Sequence, residues 1–287
     1  MLPKENRNLD LIRSPLMNNQ LIVVAPDEVV KAAEEAEAAA LQPKKGIDFA
    51  KIGENALRAL YGANLAGVLV AGAEALIAWS KARQSGLDIT QISRTQANSL
   101  TFPPGHPRDG VLYVAHPAVN GVYFTVASFH RLAFEHKFSE AIDLLMSLGA
   151  SEIKVEHVRG WSREFAATLS APMPDANAGT EISSKQSGVS ALLYEAHLCG
   201  TTQPSLPEPL VWYPHEPTWQ SIAKGRIKFG LTEFSLTVNY EDDFGINAGL
   251  KLTAGKSGLD LGGSFEDHCA TTWKIHGKFR EKESVTS

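Results

Sequence analysis

Cysteine is almost missing from this chain of 287 residues: Cys199 and Cys269 are the two that occur. They stand far apart, outside any Cys-x-x-Cys or Cys/His spacing, which excludes a disulfide framework and a zinc-finger type of site. Two buried, reduced thiols are expected instead, as in an intracellular protein. Met1 to Gln20 has no continuous apolar run and does not resemble a signal peptide, so a cytoplasmic location is expected. Basic charge is in deficit, with 27 Lys and Arg against 32 Asp and Glu and a net charge of −5. That argues against an extended nucleic-acid face, and no nucleic-acid partner is expected. The short basic pieces (Lys44-Lys45, Lys224 to Lys228, Lys274 to Lys282) are mixed with carboxylates and read as solvated surface.

Catalytic signatures are lacking too. There is no G-x-S-x-G elbow, no phosphate loop and no dinucleotide fingerprint. The triplet Gly255-Lys256-Ser257 does not make a phosphate loop, because position 250 is leucine and no helix is expected to follow. His130 and His136 lie on one predicted helix without HExxH or HxxEH spacing, so a zincin site has no support. His130 falls in line with Phe134 and Phe138 and reads as a core histidine. No catalytic residue and no cofactor are assigned.

What the chain does contain is 44% hydrophobic and 21% charged residues, the composition of an ordinary globular protein with a large core. Leu21 to Ala25 reads as a strand and Glu28 to Leu41 as an Ala/Glu-rich helix started by Pro26-Asp27. A long helix is predicted from Phe49 to Ala82. Its middle, residues 61–79, is almost wholly apolar and close to the roughly 20 residues that span a bilayer. Asn64 and Glu74 interrupt it, and its small residues, Gly67 and Gly72 among them, suit close helix packing. Ser85 to Pro107 reads as connecting structure. Strands are predicted at Val111–Ala115 and Gly121–Ala127, then a helix from Phe129 to Leu148 with an apolar stripe of Phe134, Phe138, Ala141, Leu145 and Leu148. Further strands are predicted at Glu152–Val158, Phe165–Ser170, Val189–Cys199 and Thr271–Phe279, with a loop at Pro172–Gly188. The segment from Gly200 to Pro217 carries five prolines around Trp212 and Tyr213 and reads as a rigid connector covering a sheet edge. A short helix at Thr218–Lys224 and a bent strand or strand pair over Arg226–Tyr240 complete the pattern.

The feature with the sharpest functional implication is the alternation from Phe244 to Asp267. Ile246, Ala248, Leu250, Leu252 and Ala254, then Leu259, Leu261, Gly263 and Phe265, fall on one face. Gly255 to Gly258 sits between them as a loop. Period two predicts a long amphipathic β-hairpin. Its register brings Glu241, Asp242 and Asp243 near Glu266, Asp267 and His268, an oxygen-rich group that could attract a hard cation, with Asp242, Asp243, Glu266 and Asp267 as candidate ligands.

The fold expected is therefore α+β: one domain over residues 1–287 with a mainly antiparallel sheet packed by two long helices. An irregular arm (1–20) and a mostly helical part (21–85) precede the sheet-rich part (86–287). The function expected is non-enzymatic: protein binding and self- or hetero-assembly, with a membrane as a second kind of partner. The candidate contacts are Gly67, Gly72, Ile246, Leu250, Leu252, Leu259, Leu261 and Phe265. Two alternatives stand beside it. One is a membrane-perforating effector stored in soluble form and inserting this hairpin. The other is an enzyme with His116, His157 or Asp243 and Asp267 in a cleft.

Overall fold

The computed structural model describes residues 20–40, 69–161 and 191–281. Among them are two four-stranded sheets and six α-helices, so the α+β class holds. In chain order the elements are β1 (Leu21–Ala25), α1 (Asp27–Ala40), α2 (Leu69–Gln84), β2 (Ile89–Ser93), α3 (Arg94–Ala97), β3 (Leu112–Ala115) and β4 (Tyr123–Thr125). There follow α4 (Phe129–Ser147), β5 (Ala150–Arg159), β6 (Ala191–His197), α5 (Pro217–Phe229), β7 (Glu233–Tyr240), α6 (Ala248–Ser257) and β8 (Thr271–Phe279). The chain divides into two compact units. One holds the residues up to His130 with Phe244–Asp267, and the other holds Arg131–Asp243 with the residues from His268 onward.

The first unit is built on a sheet of order β2-β1-β3-β4. β1 pairs in parallel with β2 and antiparallel with β3. The parallel partner lies in the stretch 85–107 that sequence patterning leaves as connection, because Ile-Thr-Gln-Ile-Ser is too short and too polar to stand out. Alternation along β1 sends Leu21, Val23 and Ala25 to one face and Ile22 and Val24 to the other, and all five are buried. The first face packs against Val29, Val30 and Ala33 of α1, Leu76 and Trp79 of α2, and Leu250 and Ala254 of α6. The second meets Ile92, Tyr113 and Tyr123, with Leu100 and Phe102 beside them. The Trp79 indole N–H donates to the Ile89 carbonyl of the outer strand β2 at 3.1 Å.

The second unit is a fully antiparallel sheet of order β6-β5-β8-β7. The predicted stripe on α4 is buried as expected, and Trp273 of β8 stands edge-on to Phe134 and Phe138 at 4.8 and 5.1 Å between ring centres. Gly277 sits at the crowded centre of the β5–β8 pair: a Cβ there would lie 1.9 Å from the Glu152 carbonyl oxygen. The outer edge of β7 is not left open. Its Thr237 carbonyl accepts from the Trp219 indole at 3.5 Å and its Asn239 carbonyl from Lys137 Nζ at 2.8 Å, which blunts a surface that would otherwise template strand addition.

The predicted hairpin is the main correction. Residues 248–257 are a helix, not a strand. Every second position of an alternating run also includes every fourth, so Ile246, Leu250 and Ala254 satisfy a helical face as well as a strand face, and all three are buried. Local signals then decide. Asn247 caps the helix, accepting from the Gly249 and Leu250 N–H groups at 3.0 and 3.3 Å, and Gly258 closes it in a left-handed conformation at φ 87°. Thr253 is the one β-branched residue in AGLKLTAGKS, too few to favour a strand. Past the helix, the segment runs along β3 by the Leu112 N–H to Asp260 carbonyl bond at 2.7 Å and reaches Ala127 through Leu261 and Glu266 at 2.9 Å each. The Arg226–Tyr240 expectation also changes, since its first residues complete α5 and Glu233–Tyr240 is the strand. The expected strand at 165–170, the loop at 172–188 and the residues 49–68 of the long helix lie outside the described residues.

Candidate binding surface

The proline-rich segment before α5 is held down by one carboxylate. Glu140, buried on α4, accepts from three successive backbone N–H groups: Val211 at 2.8 Å, Trp212 at 2.9 Å and Tyr213 at 2.7 Å. The Trp212 indole N–H donates to His136 Nδ1 at 2.9 Å, and Lys137 Nζ lies 5.3 Å from the centre of the Trp212 ring. Burial lowers the pKa of His136 and, with Glu140 close by, raises that of Asp143. The segment connects to α5 as the prolines imply, but its Val211–Tyr213 stretch is fastened to α4 and not to a sheet edge as expected.

α5 begins at Pro217, whose missing N–H costs nothing in the first turn. The side chain of Glu216 forms no cap and pairs with Lys137 at 2.5 Å instead. Trp219, Ala223 and Arg226, spaced by four and three, are the buried face. Among the described residues no carboxylate pairs with the buried Arg226, and burial holds its pKa below the ordinary guanidinium value. Three carbonyls satisfy it: Leu148 at 3.0 Å, Leu231 at 3.0 Å and Arg280 at 2.6 Å. Its guanidinium also lies 4.9 Å from the Phe279 ring centre. Gly230, at φ 70°, ends the helix with its N–H on the Arg226 carbonyl, and the Leu231 N–H returns to the Gly225 carbonyl at 3.1 Å. The end of α5 is thus tied to three separate stretches of the second unit.

What this rigid end displays is apolar. Phe229 is 76% exposed, Ile227 41% and Leu231 36%, with Lys224 and Lys228 exposed one turn apart beside them. Isolated exposed apolar residues are common, but three within five positions on a braced helix end are not a scatter. Sequence reading took Lys224 to Lys228 as solvated charge and the apolar residues as strand. The signal that could have separated them was Gly230 with a helix-former run before it, a helix stop rather than a strand bend.

A second polar cluster, in the first unit, stands at the carboxyl ends of β1 and β2. Asp27 accepts from the Thr95 N–H at 3.2 Å and hydroxyl at 2.9 Å, and hydrogen bonds from Ser93 and Thr95 keep its pKa low. Arg94 makes a two-pronged pair with Asp109 at 2.9 and 2.5 Å, which raises its pKa further. The Tyr113 hydroxyl accepts from the Arg108 N–H at 2.7 Å and lies 2.7 Å from His106 Nδ1. Burial pushes this phenol up to about 12, while burial and then Arg108 lower the His106 pKa, so the phenol keeps its proton and donates a hydrogen bond to the neutral imidazole. These groups answer one another and latch the loop 102–110 to the strand ends.

The residues predicted to make contacts are dispersed by the helix. Ile246, Leu250 and Leu259 are core residues, and Leu261 and Phe265 pack against that core, with Lys251 Nζ 5.2 Å from the Phe265 ring centre. Leu252 is the exposed one, at 58%. Gly72 lies within α2, and Gly67 is outside the described residues. The acidic group is not assembled by a hairpin register: among the described residues, no three or more of His, Cys, Asp and Glu are placed to hold a metal ion. Asp242 and Asp243 act instead after burial in raising the pKa of Tyr240, and Glu266 N–H bonds the Ala127 carbonyl. His116 Nδ1 accepts from the Ala118 N–H at 3.0 Å, and His157 Nε2 lies 3.2 Å from the Gly160 carbonyl, each within its own turn. His130 is the core histidine expected, fully buried with Nε2 2.5 Å from the Ile246 carbonyl. The thiols differ from expectation: Cys199 is exposed and Cys269 half-buried. Among the described residues, no helix is long and apolar enough to cross a membrane.

Comparison with known proteins returned no match: no family model fits the chain, and no curated protein or solved structure is significantly similar to it.

Proposed function

We propose that this chain acts by binding, not by catalysis, and that the capped end of α5 is a surface through which it binds, in a cytoplasmic setting. The observation that carries this reading is Phe229, three-quarters exposed on a backbone braced by Arg226 and Gly230. Full burial of such a side chain is worth about 2–3 kcal/mol. Hot spots at interfaces are often aromatic anchors of this kind on preorganised backbone. The same position contributes little to the fold, since most of its surface is in water. The two polar clusters support the reading from the other side: their charged groups are engaged with one another or with backbone.

A Phe229→Trp variant tests it. Of the chain's own tryptophans, Trp79, Trp212, Trp219 and Trp273 are buried and Trp161 is half-buried, so the added indole is read as the difference in quenching by neutral acrylamide between variant and wild type. Quenching should fall when the protein is concentrated, through self-association, or when a lipid surface is added. An indole that stays fully quenchable in both settings would overturn the proposal.

A further inference from the structure

Resting on that reading, we infer that the occupant of the α5 end is an anionic lipid surface, entered end-on by Phe229 and its neighbours. Three observations point there. First, successive helical residues turn by about 100°, so positions two apart, Ile227 and Phe229, leave the helix on nearly opposite sides. A protein groove engages one side of a helix, whereas a fluid interface takes apolar groups all round a tip. Second, the stretch is open to solvent: Ile227, Lys228, Phe229, Leu231, Thr232 and Glu233 are all exposed in sequence around Gly230. Third, Lys224 and Lys228 share the outward side one turn apart, placed to meet headgroup phosphates as the apolar tip enters the headgroup region.

The net charge of −5 does not oppose this approach. At physiological salt a charge is felt over about 8 Å, so a headgroup responds to the lysines beside it and not to the distant carboxylates. Glu233 and Glu281 are the exposed carboxylates near this end, Glu281 following Arg280, whose carbonyl accepts from Arg226; Lys278, exposed and opposite Glu233 in the sheet, adds to Lys224 and Lys228 on the basic side. The contact is peripheral: it needs one helix end, not a membrane-crossing helix, which is not found among the described residues. It differs in kind from hairpin insertion, because nothing refolds.

Vesicle flotation of the full chain tests it, with phosphatidylcholine alone and with phosphatidylglycerol added. Co-flotation is expected with the anionic vesicles, falling as salt is raised. Lys224→Gln with Lys228→Gln should weaken it on the order of thirtyfold, taking about fivefold for each positive charge removed. Phe229→Ser should abolish it, and both variants lie outside the core, so an unchanged circular dichroism spectrum verifies that they fold. Equal flotation with neutral vesicles, or flotation that survives Phe229→Ser, would overturn the inference. If vesicles fail to retain the protein while the Phe229→Trp indole is protected on concentration, the lipid inference falls and the binding reading stands on self-association. If the indole is protected in neither setting, both fall.

Discussion

At the residue scale, the strongest single contributions come from buried polar groups that serve backbone. Glu140 accepts three consecutive N–H groups that lead into the 3-10 turn Tyr213–His215, where the first N–H groups have no partner within the turn. Glu140→Ala should cost about 3 kcal/mol, since it leaves buried donors unpaired. Urea unfolding checks this by a lower midpoint at an unchanged slope. Tyr113 makes a pH prediction. Its pKa rises from the ordinary 10.0 to about 12 on folding. Its contribution is whole below pH 10, where folded and unfolded phenols both keep the proton. Between pH 10 and 12 the unfolded phenol ionises first, so stability falls as pH rises through that window. The melting temperature of the wild type should drop more steeply there than that of Tyr113→Phe, which has no proton to lose. Equal slopes would show that Tyr113 is not the group responsible.

At the element scale, α6 shows how a helix can be mistaken for a strand. The alternation of Ile246, Leu250 and Ala254 is common to both periods, and only the caps and the scarcity of β-branched residues separate them. Asn247→Ala should therefore destabilise the first unit by about 1 kcal/mol, with Asn247→Ser close to neutral, read from thermal melts. By contrast β1, β8 and the buried stripe of α4 were legible in the sequence. Leu21–Ala25 and Thr271–Phe279 are apolar or alternating runs with no competing helical reading. β2 was not legible, because its place depends on pairing with β1. The α5 end was missed because Lys-Phe-Gly-Leu alternates locally, which masked Gly230 as a helix stop, and the burial of Trp219, Ala223 and Arg226 shows the helix.

At the scale of the whole molecule, two units with separate cores predict unfolding that departs from a single two-state step. Calorimetry should give a van't Hoff enthalpy below the calorimetric one. Gly277→Ala identifies the second unit. Its Cβ would collide with the Glu152 carbonyl, at a cost of about 3 kcal/mol, so it should lower one transition and leave the other. Asn247→Ala should act on the opposite one. If both variants move a single common transition, the units unfold together.

The sequence by itself determined the α+β class, the strands with unambiguous periodicity, the apolar stripe of α4 and the connector role of the proline-rich segment. Each of these follows from local residue spacing and from proline geometry, which act before any distant contact forms. Tertiary structure decided the rest. It decided that the 248–257 run is helical, that β1 takes a parallel partner, that the chain divides into two units without a linker, and that Phe229 is left outside while Ile246 and Leu250 are buried. The physical reason is that burial depends on what another stretch of chain brings alongside. An apolar residue carries the same transfer free energy wherever it stands, and only the packed fold sets whether it is used inside or kept on the surface.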